Sequence, residues 1–275
     1  MIVVNAAEIF PGDNAAHISL SNGKKYKILL RDYENLPFEC KSNSLLENIV
    51  IDVKKIELSE TNQYFDGDCV EFLIFLSRKY TIYRSAISKV ALTDIPKKLL
   101  MSKLYFSYGQ YLKKSNQNKN ADNKIELEPE TLKTLCSLVC DEFEASGYIN
   151  DKRYAFDKAK YLKEYKKYGN GRIKEYLYQK RIPPDIIAEV LEDEFFLDED
   201  TELENMRNFL KKKYGENLDR LDKSDRNDIN KAINMLVRNG YKYQSAKNAV
   251  ADFMDKTGTD TDIDFIGNGD FEDEQ

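Results

Sequence analysis

From about Cys69 onward the apolar positions recur at helical spacing, whereas the residues before about 60 alternate apolar and polar side chains as strands do. His17-Ile18-Ser19-Leu20 and Lys25-Tyr26-Lys27-Ile28-Leu29-Leu30 flank Ser21-Asn22-Gly23-Lys24. Asn-Gly between two alternating runs predicts a hairpin, because both residues tolerate positive φ. The runs Asn48–Val53 and Lys55–Leu58 read as further strand. A two-stranded hairpin is marginal in water, so this unit is expected to pack on the helical part. Val70, Leu73, Ile74 and Leu76 predict one amphipathic helix and Ala86, Val90 and Ala91 another, before a stop at Asp94-Ile95-Pro96. Leu132, Leu135, Leu138, Val139 and Phe143 form the stripe of a helix from Thr131 to Ala145.

The stretch from Gly147 to Leu191 predicts three short helices. Gly147 suits a helix terminus, and Asn150 or Asp151 can accept from the free amides of the helix that follows. The chain turns at Tyr168-Gly169-Asn170-Gly171, restarts at Arg172-Ile173, and stops near Arg181-Ile182-Pro183-Pro184. A third helix, Asp185 to Glu194, would bury Ile186, Ile187, Val190 and Leu191, with Phe195-Phe196-Leu197 as an apolar anchor beyond it. One constant shift lays Leu177 on Leu236, Arg181 on Gly240, Ile182 on Tyr241, Ile187 on Ala246 and Leu191 on Val250, so a further copy is expected, its first helix running from Thr201 to Lys213. The expected fold is therefore mainly α, with tandem three-helix repeats in an elongated array preceded by a small N-terminal β unit. The expected divisions are 1–65, 66–147 with a polar insertion near 113–126, 148–197, 198–256, and an acidic, disordered tail at 257–275.

Charge sharpens this picture. The 275-residue chain has a net charge of -6, but residues 152–181 hold eleven Lys or Arg against Asp157, Glu164 and Glu175, while residues 182–206 hold ten acids and no base. Local fields act over a Debye length of about 8 to 10 Å, so the net value says little about partners. On a helical projection Arg153, Lys160, Lys163 and Lys167 fall together around Phe156, opposite Ala155, Ala159 and Leu162, with Tyr154, Tyr161 and Tyr165 placed beside the inner face. In the next helix Lys174, Tyr178 and Arg181 line the side opposite Ile173, Tyr176 and Leu177. Arg153, Lys160, Lys163, Lys167, Arg172, Lys174, Tyr178 and Arg181 are the candidate partner-binding set.

Other chemistry finds little support. There is no phosphate-cradling GxxxxGK[ST] run, and the single histidine, His17, has no Gly-x-Ser-x-Gly elbow to serve. Cys136 and Cys140 read as buried thiols rather than a metal pair, and Asp66-Gly67-Asp68 reads as a turn. The expectation is a non-enzyme with no cofactor and no metal site. No run of about eighteen apolar residues is present and the start lacks a basic-then-apolar leader, so a cytoplasmic monomer without membrane contact is expected.

Tyr148-Ile149-Asn150-Asp151-Lys152-Arg153-Tyr154-Ala155, followed by Gly169-Asn170-Gly171-Arg172-Ile173-Lys174-Glu175-Tyr176-Leu177-Tyr178-Gln179-Lys180-Arg181-Ile182, resembles the central repeat of the RecX family, regulators of the RecA recombinase. Gly169, Arg172, Ile173, Leu177, Lys180 and Ile182 match the family pattern, while Asn170 stands for a proline, Tyr176 for a glutamate and Arg181 for a glycine. Leu236-Val237-Arg238-Asn239-Gly240-Tyr241-Lys242-Tyr243 resembles the last repeat of the family, with its turn glycine present. The resemblance implies a partner, the RecA filament on single-stranded DNA, and a role in limiting its ATPase and strand exchange. The residues alone also allow a stand-alone helical-repeat protein that binds single-stranded or double-stranded DNA.

Overall fold

The computed structural model describes residues 2–41, 68–117, 127–216 and 219–255. The chain is mainly α with a small N-terminal antiparallel sheet, and it divides into two compact units, Met1–Tyr154 and Ala155–Gln275.

In the first unit the sheet has the order β1 (Val4–Phe10), β2 (Ala15–Leu20), β3 (Lys25–Leu29). The expected hairpin is present: Ser19 faces Lys25, and Gly23 takes φ +80° in the turn. β1 was not legible, because Val-Asn-Ala-Ala-Glu-Ile-Phe alternates weakly; its pairing along β2 makes it a strand. The strands expected at 48–53 and 55–58 lie outside the described residues, as do 257–275 and much of the polar insertion.

Four helices follow: α1 (Leu30–Glu34), α2 (Cys69–Val90), α3 (Lys97–Asn116) and α4 (Pro129–Ala145). Sheet and helices share one core, in which Ile18, Leu20 and Ile28 join Phe72, Leu73, Leu76, Leu100, Leu135 and Val139. The two helices expected between Cys69 and Ala91 are one. Between the two apolar stripes lies Lys79, whose buried ammonium reaches Asp32 at 2.9 Å and Glu142 at 2.5 Å, so the helix runs through a charge that its neighbours satisfy. Asp68 caps α2 through a capping box with Glu71. Cys136 and Cys140 are buried free thiols, pushed up to about 12 by burial.

α5 (Asp151–Glu164) spans the boundary between the units, and its start is capped where expected, with Asn150 Oδ1 accepting from the Arg153 amide at 2.8 Å. The second unit continues with α6 (Asn170–Gln179), α7 (Pro184–Leu191), a short α8 (Glu194–Leu197), α9 (Glu199–Tyr214), α10 (Arg226–Arg238) and α11 (Tyr243–Asp255). Met206, Leu210, Ile233, Leu236, Ala246 and Val250 form the core of the last three helices. Leu236, Tyr241, Ala246 and Val250 are thus buried as the shifted alignment required.

The same backbone device ends α4, α6 and α10. After α6 the Arg181 amide donates to the Tyr178 carbonyl and the Ile182 amide to that of Leu177; after α10 Gly240 and Tyr241 donate likewise to Val237 and Leu236. These are Schellman ends, with the left-handed position held by Gly147 (φ +74°), Arg181 (φ +63°) and Gly240 (φ +93°). Arg181 therefore keeps the turn that glycine would make without steric cost. Changing Arg181→Gly is expected to stabilise the protein by about 1 kcal/mol, read as a higher melting midpoint, because a left-handed L-residue costs roughly that much.

Candidate functional site

Seven of the eight candidate residues lie in the second unit; Arg153 belongs to the first, exposed in the opening turn of α5. α5 turns its faces differently from the projection. Ala155, Ala159 and Leu162 are buried as expected, but Tyr161 and Tyr165 are exposed and stack on each other with centroids 5.3 Å apart. Lys163, expected on the open basic face, is 3% exposed. The cause is the Phe195-Phe196 anchor on α8. Phe196 meets Phe156 edge-on at 5.9 Å, and the Lys163 ammonium donates to the Phe195 carbonyl at 2.8 Å while lying over both rings at 5.5 and 5.6 Å. Burial holds the Lys163 ammonium below its ordinary pKa, partly offset by Glu202 and Asp198. Lys163 is thus a fixed internal cation and not a surface contact.

Lys160 remains exposed, beside Glu164 at 3.9 Å and over the Phe195 ring at 5.6 Å. Lys174 and Tyr178 are exposed together on the outer side of α6, the ammonium 5.9 Å from the ring centroid. Arg181 is exposed at the turn beyond them.

Lys167 and Arg172 serve a different purpose. Lys167 is half-buried at φ +58°, and its carbonyl accepts from the Tyr241 hydroxyl. Arg172 covers the Tyr168 ring at 4.0 Å and donates through Nη1 to Asn239 Oδ1 at 2.6 Å. Around them two stretches of main chain meet. The Gly169 amide donates to the Asn239 carbonyl at 2.9 Å and the Gly171 amide to that of Gly240 at 3.0 Å. A Cβ on Gly169 would fall 2.5 Å from the Gly240 carbonyl carbon, so the backbones touch only because neither residue has a side chain. The central repeat docks on the last one through this seam. Asn170, standing where the resemblance has proline, holds α8 by donating to the Phe196 carbonyl at 2.9 Å.

Between α5 and α6 the structure opens a cleft of about 450 Å³ whose lining includes Lys158, Tyr161, Lys166, Tyr168, Arg172 and Tyr176. Only Arg172 of these was among the candidates. The missed signal was Lys158 three residues before Tyr161, a pair that meets with the ammonium 5.8 Å from the ring. A second hollow shares Arg172 and Glu175 with the first and adds Glu199, Glu202, Arg238 and Lys242. The two form a surface that is cationic and aromatic at one end and mixed in charge at the other. Among the described residues no helix is long and apolar enough to cross a membrane, and no group of three metal-ligating side chains is present.

Residues 150–191 match the family model for RecX, second three-helix domain. The fold is similar to a crystal structure of regulatory protein RecX, with a TM-score of 0.58 at 12% identity over 93% of this chain and 100% of that one. A crystal structure of RecX from Lactobacillus salivarius gives a TM-score of 0.46 at 18% identity, over 65% of this chain and 97% of that one. No curated protein matches by sequence. The chain therefore carries, at residues 150–191, a RecX second three-helix domain within a RecX fold.

Proposed function

We propose that this protein is a non-enzymatic, cytoplasmic regulator that binds, as a monomer, the RecA recombinase filament on single-stranded DNA and limits its ATPase and recombination activity. The match of residues 150–191 to the RecX domain carries the reading. The surface fits a protein target better than bare DNA, because Glu175, Glu199 and Glu202 stand among Arg172, Arg238 and Lys242. Interleaved signs select a partner with both charges on its surface, whereas a phosphate backbone would be repelled by the acids. The exposed members of the candidate set, Lys160, Lys174, Tyr178 and Arg181, are the proposed contacts in the second unit, with the cleft residues Lys158 and Lys166 added.

The test is the DNA-dependent ATPase rate of RecA, titrated with this protein at fixed single-stranded DNA, beside binding to the same DNA without RecA. Inhibition well below the concentration that coats naked DNA is the expected result; inhibition only once the DNA is coated would replace this reading with simple competition for DNA. The double variant Lys160→Glu, Lys174→Glu is expected to weaken inhibition about tenfold, more so at low salt, with an unchanged melting curve, since both side chains are exposed.

A further inference from the structure

We infer that α3, in the first unit, is a separate contact surface for single-stranded nucleic acid. In a chain of net charge -6, this helix contains Lys97, Lys98, Lys103, Lys113 and Lys114 and no acidic residue. Lys97 is engaged with Asp141 at 2.9 Å and Glu144 at 2.5 Å. The other four ammonium-bearing side chains are exposed.

Lys103, Phe106, Gln110 and Lys113 follow one another at spacings of three and four, so they form a row along one side of the helix. The lysines at its ends are about 15 Å apart along the axis. Phe106 between them is 68% exposed, and Tyr105 and Tyr111 are also exposed. The opposite side, with Leu100, Leu104 and Tyr108, is buried in the core of the unit. Among the described residues the aromatic and cationic row is therefore exposed.

Gly109 adds a second observation. Glycine inside a helix is unfavourable relative to alanine, yet a Cβ here would meet nothing within 4 Å, so packing does not explain it. It lies three residues beyond Phe106, beside the row, and its missing side chain leaves bare helix next to the ring. That gap suits a flat base stacking on Phe106 while its phosphates meet Lys103 and Lys113. Base stacking on an exposed ring plus a lysine track is the chemistry by which single strands are bound without sequence preference. A duplex, its bases already stacked, would use the lysines alone. A lipid surface is disfavoured because the apolar stripe that would enter it is buried in the core.

The experiment is fluorescence anisotropy of a labelled oligothymidylate titrated with the full chain at several salt concentrations. Phe106→Ala is expected to weaken binding roughly tenfold. The pair Lys103→Glu, Lys113→Glu is expected to reduce the salt slope by at least about 1.4, the release expected for two phosphate contacts on a single strand. All three side chains are exposed, and an unchanged circular-dichroism melting curve confirms that the variants fold. The double variant Lys160→Glu, Lys174→Glu is expected to bind the oligonucleotide as the parent does, so loss of filament inhibition in that variant and loss of strand binding in the α3 variants are separable results. Four outcomes overturn the inference: no binding at low salt, unchanged affinity after Phe106→Ala, equal competition by duplex DNA, or equal competition by polyglutamate, which would point to an acidic protein instead.

Discussion

Alanine at Gly240 is expected to destabilise the second unit by about 4 to 6 kcal/mol, and so to remove much of the roughly 5 to 15 kcal/mol that holds a domain together. Two effects add. Gly240 sits at φ +93°, where an L side chain costs about 1 kcal/mol. Its Cβ would also stand 2.6 Å from that of Arg172 and 2.8 Å from the Gly169 carbonyl oxygen. Separating those backbones breaks the amide-to-carbonyl bonds from Gly169 to Asn239 and from Gly171 to Gly240, each worth about 1 kcal/mol, and overpacking adds about 1 to 3 kcal/mol. Gly147 supplies the control. It occupies the equivalent turn position at φ +74° with nothing within 4 Å, so Gly147→Ala should lose only the conformational part, about 1 kcal/mol. Chemical denaturation of both variants measures the difference. Equal losses would mean that the seam contributes nothing to stability.

A negative charge at position 163 is the second severe change. Lys163→Glu is expected to cost at least about 3 to 5 kcal/mol, because it places an anion at the Phe195 carbonyl and near Glu202 and Asp198 in a buried site. Lys163→Met keeps the stem and gives up the charge. It should cost far less, since burial already works against the Lys163 ammonium and holds its pKa down. Thermal melts at neutral pH distinguish the two accounts: a surface contact would lose filament affinity in both variants and stability in neither. The expected pattern is large destabilisation for glutamate and near-parent stability for methionine.

Helices built on regular apolar stripes were readable from the residues, α4 and α9 within two residues at either end. The hairpin followed from Asn22-Gly23. The departures share one cause, tertiary partners that periodicity does not contain. The run from Cys69 to Ala91 read as two helices, and the ion pairs of Lys79 with Asp32 and Glu142 tie the middle of the single helix to partners distant in sequence. Lys163 looked like surface until α8 covered it, although Phe195-Phe196 was already recognisable as an anchor. Its angular position, shared with Phe156, was compatible with either an open basic face or a buried one, and only the long-range contact decides. For Arg172 the family resemblance gave a kept position without a reason; Asn239, distant in sequence, supplies one. The candidate surface was therefore legible as a region, and its division into exposed, buried and docking side chains was not.

The seam between the two repeats also bears on how such a chain can drift in sequence. Its close approach rests on main-chain hydrogen bonds among Gly169, Gly171, Asn239 and Gly240, joined by side-chain bonds from Arg172 to Asn239 and from Tyr241 to the Lys167 carbonyl, so the contact asks that the glycines stay small and these few partners persist. Mutations at exposed positions away from these partners then change chemistry without changing the joint. A repeat protein assembled this way can retool its surface for a new or altered partner while the architecture persists, which accords with a fold recognisable at 12% identity.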